Sequence, residues 1–483
     1  MGNNTTRREA LKGLVGLTVG SGLAGLALPA EASTGTLAPA IDVGIQPPGP
    51  KSLRLLERLK GEVGRSNYAG LYGIALQSGD GCYIRDVDGN VYLDCLTAAS
   101  CNILGYSHDE VARAYYDTAV RIQQTCFAYS PNEETVAFAE RLAAISPGEY
   151  RKKALIGLTG SDSIGGAIEA ARKYTGKMGI ISFNFAYHGS TGLSQAASGF
   201  TSLNEGVYDA NDPNFVKVDF PTTPEEGERT LKNIETILAF GKVGAVLVEI
   251  IQGDAGKLQA PAGFFGRLKD LLAGYGVLLI ADEVQSGMGR TGRWWASDHE
   301  EIAPDLVVMG KGLSAGYAPV SALVGRAEVI DALVPAGHVF TYMGHGPSVA
   351  AASAVIDIIQ AENLVENARV VGAHLLRGLK AAERFSDVVV EARGRGLMLG
   401  VEINVEKDAL ASKVFAFRCL EKGIYFGYIG DKQRVIRVLP PLVLSREEAD
   451  IIIRVVHEVA EEMAYGKVPQ ATIDRVQTYT LGW

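Results

Sequence analysis

DLVVMGKGLSAGYAPV, residues 305–320, poses the problem that the rest of the chain answers. Residues 306–309 form an apolar run without polar alternation, the pattern of a strand buried on both faces. Lys311 follows after a single glycine. An ammonium group at the end of a buried strand needs a partner, a neutral state or a covalent ligand, because an unpaired buried charge is strongly unfavourable. Working outward, similar short runs occupy residues 154–158, 179–183, 244–249 and 277–281, and helical patterns cover 164–174, 224–240 and 263–273. Strands alternating with helices predict an α/β fold with a mainly parallel sheet flanked by helices. Such sheets bind ligands beyond the carboxyl ends of their strands. The segments at those positions are polar: TGSDSIGGA, NFAYHGST, IIQGDAG, DEVQSGMGRTG and GKGLSAG, in chain order.

Toward the N-terminus, GCYIRDVDGNVYLDCL alternates apolar and polar residues around Asp88-Gly89, a hairpin signal. Residues 33–52 are a Pro/Gly/Ala-rich arm, expected to be loosely structured. Beyond about residue 361, VVVEARGRGLMLGVEI and RVIRVLPPLVLS read as strands of a smaller domain. Residues 1–32 differ from everything after them. A polar start with Arg7 and Arg8 leads into a Gly/Ala-rich apolar run ending Ala30-Glu31-Ala32. This order resembles a twin-arginine export signal, with Ala10 where that motif usually has phenylalanine. It implies recognition by the twin-arginine machinery, cleavage after Ala32 and a periplasmic mature protein. The mature chain has no unbroken apolar run long enough to cross a bilayer.

Composition narrows the ligand class. The chain has 483 residues, 47% hydrophobic, with 46 Lys+Arg against 55 Asp+Glu for a formal charge of −9, and no long basic run. A small molecule is therefore expected as partner and a nucleic acid is not. Five cysteines, Cys82, Cys95, Cys101, Cys126 and Cys419, show neither metal spacing nor an even disulfide count. No metal site is expected.

At the first polar segment, Gly160, Ser161 and Asp162 precede an Ala-rich helix, whose first N–H groups and dipole favour an anion. Ser and Asp there also read as ordinary caps. Asp282 ends the apolar run GVLLIAD, where a carboxylate needs a cation or donor. It is either a salt-bridged structural residue or the counter-ion of a protonated ring nitrogen. Lys311 could form a Schiff base with a carbonyl cofactor. An anion nest, an aspartate and a lysine together describe pyridoxal 5'-phosphate.

From about Gly73 to Val456 the sequence resembles the class III aminotransferases, the ornithine and 4-aminobutyrate type of pyridoxal-phosphate fold type I. The blocks that carry the resemblance are LIADEVQSGMGRTGRW and APDLVVMGKGLSAGYAPVSA. It implies a large cofactor-binding domain at 106–347, a small α+β domain from both chain ends (33–105 with its arm and hairpin, 348–483 with a connecting helix), and a homodimer. It also implies roles. Lys311 is the Schiff-base lysine and proton shuttle, Asp282 pairs with the pyridine nitrogen and Gln285 contacts the phenolic oxygen. Gly160, Ser161 and Asp162 match the phosphate loop. Tyr187 matches the aromatic that stacks on the ring, with His188 beside it, and Glu249 an acidic position nearby. Thr341 matches the threonine that reaches the other subunit's cofactor phosphate, and Arg437 the arginine that holds a substrate carboxylate. Asp254 stands where the family usually has a glutamate that pairs with that arginine, and its shorter side chain leaves the pairing open.

The implied reaction is a ping-pong exchange of an amino group between an amino-acid-like donor and a 2-oxo acid. Ser190 and Ala99 replace an arginine and a tyrosine common in the family, which favours a larger or differently shaped amine. With the export signal, the chain resembles the transaminases of pyoverdine-type siderophore maturation, which implies conversion of a glutamyl side chain to a 2-oxoglutaryl one. An aminomutase or decarboxylase of the same family shares the Lys311 and Asp282 machinery. An exported binding protein without turnover is the alternative from another class, though it has no need of a proton-shuttling amine.

Overall fold

A seven-stranded sheet organises the computed structural model, which describes residues 40–68, 70–200 and 212–479 of the chain. These residues belong to one compact unit spanning Pro39–Trp483. The export-signal reading at 1–32, and the arm up to residue 39, lie outside the described residues. The first strands are β1 (Leu76–Asp80), β2 (Tyr83–Asp86) and β3 (Val91–Asp94). β2 and β3 form the hairpin expected at Asp88-Gly89, with Gly89 at φ +105° in its turn. The arm ends earlier than expected, in a helix over Pro50–Glu62 that starts on its own proline.

The large sheet comprises β4 (Lys152–Gly157), β5 (Gly179–Phe183), β6 (Phe215–Val218), β7 (Val243–Val248), β8 (Leu278–Asp282), β9 (Leu306–Met309) and β10 (Ser321–Arg326). Its order is β4-β10-β9-β8-β7-β5-β6. Five neighbours, from β9 to β6, are mutually parallel, while β10 runs antiparallel to both β9 and β4. The five expected strands all form, within a residue or two of their expected bounds. β6 and the reversed β10 complete the sheet and were not foreseen. The SALVGR segment of β10 has an apolar centre like the parallel strands beside it, so direction is invisible in it.

Alternation with period two explains why both faces are covered. In β5, β7 and β8, Ile180, Ala245, Leu247, Leu278 and Ile280 pack on one face, against Ile164 and Ile168 of the Gly160–Thr175 helix. Ile181, Val246, Val248, Leu279 and Ala281 pack on the other, against Ile234 of the Pro224–Leu238 helix and Leu268 of the Phe264–Tyr275 helix. Each fully buried leucine or isoleucine contributes roughly 1.5–3 kcal/mol by leaving water.

Two four-stranded sheets flank this core. Strand β13 (Ile424–Tyr425) from the C-terminal part joins β3 in parallel, so the β1-β2-β3 sheet takes strands from both ends of the chain. The second holds β11 (Val389–Arg395), β12 (Met398–Ile403), β15 (Val435–Val438) and β14 (Gly427–Ile429) in that order. Only the first part of RVIRVLPPLVLS is strand, because its two prolines lack ladder donors. Among the described residues no single helix is long and apolar enough to cross a membrane, although the bent pair Gly346–Ala361 and Leu364–Arg384 passes together by length and composition. No group of potential metal ligands occurs among them either. All five cysteines are free; Cys101 and Cys126 are only partly buried.

Candidate active site

The carboxyl ends of β4, β5, β7, β8 and β9 meet at one edge of the sheet, and the loops leaving them surround a cavity of about 180 Å³. Gly160, Ser161, Tyr187, His188, Glu249, Asp254, Asp282, Gln285 and Lys311 all line it. Gly189 and Val284 complete the wall. The sequence reading did not single these two out, since an apolar residue just past a strand end is too common to be a signal.

Lys311 leaves β9 with φ +45°, a left-handed conformation that is unfavourable for a residue with a Cβ. Its amine has no hydrogen-bond or ion-pair partner among the described residues. Asp282, at the end of β8, is 5% exposed. One carboxylate oxygen accepts from the Val284 N–H at 3.0 Å, and the other lies 2.8 Å from His188 Nδ1. His188 Nε2 is buried without a partner. The donor expected for a buried carboxylate is thus present in the Val284 N–H, and His188 and this N–H together fix its orientation. Glu249 follows β7 and accepts from the N–H of Tyr187 at 2.9 Å and of Gly253 at 2.8 Å. Burial pushes its carboxyl above the usual range; His188 opposes, and the negative charge of Asp282 adds.

The Gly160–Thr175 helix starts at the same edge. Thr159 caps it, and Asp162 closes a capping box by accepting from the Leu158 and Thr159 N–H groups, each at 3.0 Å. The other Asp162 oxygen accepts from Ser321 Oγ at 3.1 Å. Asp162 is therefore engaged in the cap and is not part of the cavity wall. Gly160 and Ser161 occupy the first turn, where N–H groups have no intrahelical acceptor. A Cβ at Gly160 would stand 3.1 Å from Val284 and fill the cradle between them. Tyr187 bonds Ser190 Oγ through its hydroxyl at 2.7 Å.

Arg437 lies on β15, its side chain 11% exposed, and Nη2 donates to Asp254 Oδ1 at 2.7 Å. The aspartate therefore reaches the arginine despite its shorter side chain. Arg437 Nε is buried with no partner, so part of the guanidinium fork is free for another acceptor. Burial would raise the Asp254 carboxyl, but Arg437 first, then Lys311 and Lys257, carry it below the usual range. Thr341 lies outside the cavity wall on an exposed segment, its carbonyl accepting from Gln124 Nε2 at 2.7 Å.

The sequence model described as "Aminotransferase class-III" matches residues 65–459. The chain belongs to the class-III aminotransferase family. This aminotransferase is 34% identical over 452 residues to the alanine/serine racemase of Pyrococcus horikoshii, covering 89% of this chain and 94% of that protein. It is 33% identical over 422 residues to the 4-aminobutyrate aminotransferase of Mycobacterium leprae, covering 83% and 93%. Among solved structures, the ornithine aminotransferase of Toxoplasma gondii superposes with a TM-score of 0.79 at 28% identity, covering 86% of this chain and 96% of that one. The fold is therefore that of the fold type I enzymes, and the cofactor of the family is pyridoxal 5'-phosphate. The cavity suits that cofactor chemically: an unpartnered amine for an aldehyde, a fixed carboxylate for a ring nitrogen, and a helix start for a phosphate.

Proposed function

We propose that this aminotransferase is an exported homodimer that moves an amino group between an amino-acid-like donor bearing a carboxylate and a 2-oxo acid. The observation that carries this reading is the presence in one cavity wall of the free Lys311 amine and of Asp254, which holds Arg437, a guanidinium whose Nε is buried and unpartnered. Pyridoxal phosphate, when bound, supplies an aldehyde carbon and an electron-accepting ring. Lys311 would hold the aldehyde at rest and carry the proton at the substrate's α-carbon. Asp282, kept in place by His188 and the Val284 N–H, would hold the proton on the ring nitrogen. The first-turn N–H groups of Gly160 and Ser161 would hold the phosphate, with Thr341 contributed across a dimer. Arg437 would exchange Asp254 for the substrate carboxylate.

The twin-arginine-like segment supports export to the periplasm, with cleavage after Ala32. Export, together with Ser190 and Ala99 at positions where the family often carries larger side chains, supports a bulky donor such as the glutamyl side chain of a pyoverdine-type siderophore precursor. A second reading, racemisation of a free amino acid, is favoured by the Pyrococcus horikoshii relative and by the presence of two proton-carrying groups, Lys311 and Asp254, in one cavity wall.

One experiment separates them. The mature protein loaded with pyridoxal phosphate is given, in turn, the glutamyl precursor, free glutamate, ornithine and L-alanine in heavy water, without any 2-oxo acid. Conversion of the cofactor spectrum to the amine form with a stoichiometric oxo product supports amino transfer, and response to the precursor alone supports the siderophore donor. Deuterium uptake with appearance of the D-amino acid and no oxo product replaces this reading with racemisation.

A further inference from the structure

Beside the cavity lies a lysine that the proposed reaction does not use. Lys257 is 0% exposed and has φ +62°. Its amine donates to Gln285 Oε1 at 2.6 Å and to the Gly253 carbonyl at 3.1 Å. Gly400 on β12 makes room for it, since a Cβ there would come 3.1 Å from Lys257 Cγ. Burying an amine this completely is unfavourable. Burial does push its pKa well down, and Arg437 pushes the same way, while Asp254 and Glu249 oppose. In either protonation state the amine remains a donor to Gln285.

The bond to Gln285 has a geometric consequence. With Oε1 engaged by Lys257, the amide of Gln285 can offer only its Nε2 hydrogens to other acceptors. Gln285 lines the cavity together with Asp254, and its amide favours the ionised form of that carboxylate. Asp254 in turn pairs with Arg437 at 2.7 Å. Lys257 thus reaches Asp254 through Gln285, whose amide it orients from outside the cavity wall.

We infer that Lys257 is a positioning residue for carboxylate recognition: acting through Gln285 and Asp254, it lets Asp254 release Arg437 to an incoming substrate carboxylate. Without it, Asp254 would lean more heavily on Arg437 and compete harder with the substrate. The inference rests on the reading of Arg437 as the carboxylate receptor.

The test uses glutarate, a dicarboxylate without an amine, titrated calorimetrically into the protein with and without pyridoxal phosphate, alongside steady-state kinetics. Lys257→Met is expected to weaken glutarate binding about tenfold. It should raise KM for carboxylated donors by a similar factor while changing kcat less than about twofold, and leave KM for an amine lacking a carboxylate unchanged. In an Asp254→Asn background the same substitution should have no further effect, because no anion remains to be held. A merely structural lysine would instead give additive losses affecting both classes of amine. Glutarate binding that is unchanged in Lys257→Met but weakened in Arg437→Lys overturns this inference alone; binding unchanged in Arg437→Lys removes the reading on which it rests. If Lys257→Met does not fold, by its melting curve, Lys257→Gln retains a donor for Gln285 and should bind glutarate within about twofold of the native protein. Failure of both variants to fold makes the lysine scaffold only and overturns the inference.

Discussion

Two lysines meet the same charged cluster in opposite ways. Lys311 ends a buried strand with its amine unpartnered and its backbone in a left-handed conformation. Lys257 is fully buried, donates two hydrogen bonds and lies among Asp254, Glu249 and Arg437. The difference separates a group kept available for covalent chemistry from one held in place to orient its neighbours. Burial alone does not mark a reactive amine here. What marks it is an amine without a partner in a cavity where the Asp282, Glu249 and Asp254 carboxylates are all held by hydrogen bonds.

The largest way to break this contrast is Lys311→Ala, expected to lower kcat by about 10²- to 10⁴-fold, the range for removing a positioned proton carrier. The visible band of the lysine-bound cofactor should disappear while the melting temperature stays close to native. A fall in kcat of less than tenfold would reassign the reactive amine. Next is Arg437→Lys. An ammonium cannot reproduce the planar fork, so KM for carboxylated donors should rise about tenfold with kcat largely preserved.

A pH series of urea midpoints on the cofactor-free protein probes the buried carboxyls. Burial raises Glu283 to about 7, although Ser286, Ser297 and Ala296 donate to it. The folded state therefore keeps a proton that the unfolded chain loses near its ordinary value. That stabilisation is complete below the unfolded pKa and disappears as pH rises through about 7. Glu249 is shifted in the same direction, so both favour acid-side stability. The midpoint should fall between roughly pH 4.5 and pH 7, and Glu283→Gln should flatten the slope. The smallest effect sharpens the contrast from the other side. Lys311→Gly relieves the left-handed backbone and should stabilise the cofactor-free protein by about 1 kcal/mol, a test of strain retained for function.

Much of this arrangement is legible along the chain. The apolar runs ending at Met309 and near Asp282 identify strands, and the polar segments after them identify the ligand edge, because side-chain alternation and strand-end chemistry are local properties. Asp162 shows the limit of such reading: a Ser-Asp pair opening a helix suits both an anion nest and a capping box, and in the structure its carboxylate accepts from the Leu158 and Thr159 N–H groups of the cap and, through its other oxygen, from the distant Ser321. Lys257 left no signal at all, since one lysine in a glycine-rich loop reads as solvated. Its burial depends on Gly400, 143 positions away, leaving room for it.

The sequence by itself determined the alternation of strands and helices, the family, the cofactor and the residue placed at each strand end. The tertiary structure alone decided the strand order and the reversal of β10, the closure of one small sheet by strands from both chain ends, and the contact between Asp254 and Arg437 across 183 positions. The physical reason is that periodicity and turn chemistry act over a few residues. Sheet order and side-chain reach depend instead on how distant elements pack, and no short segment carries that information.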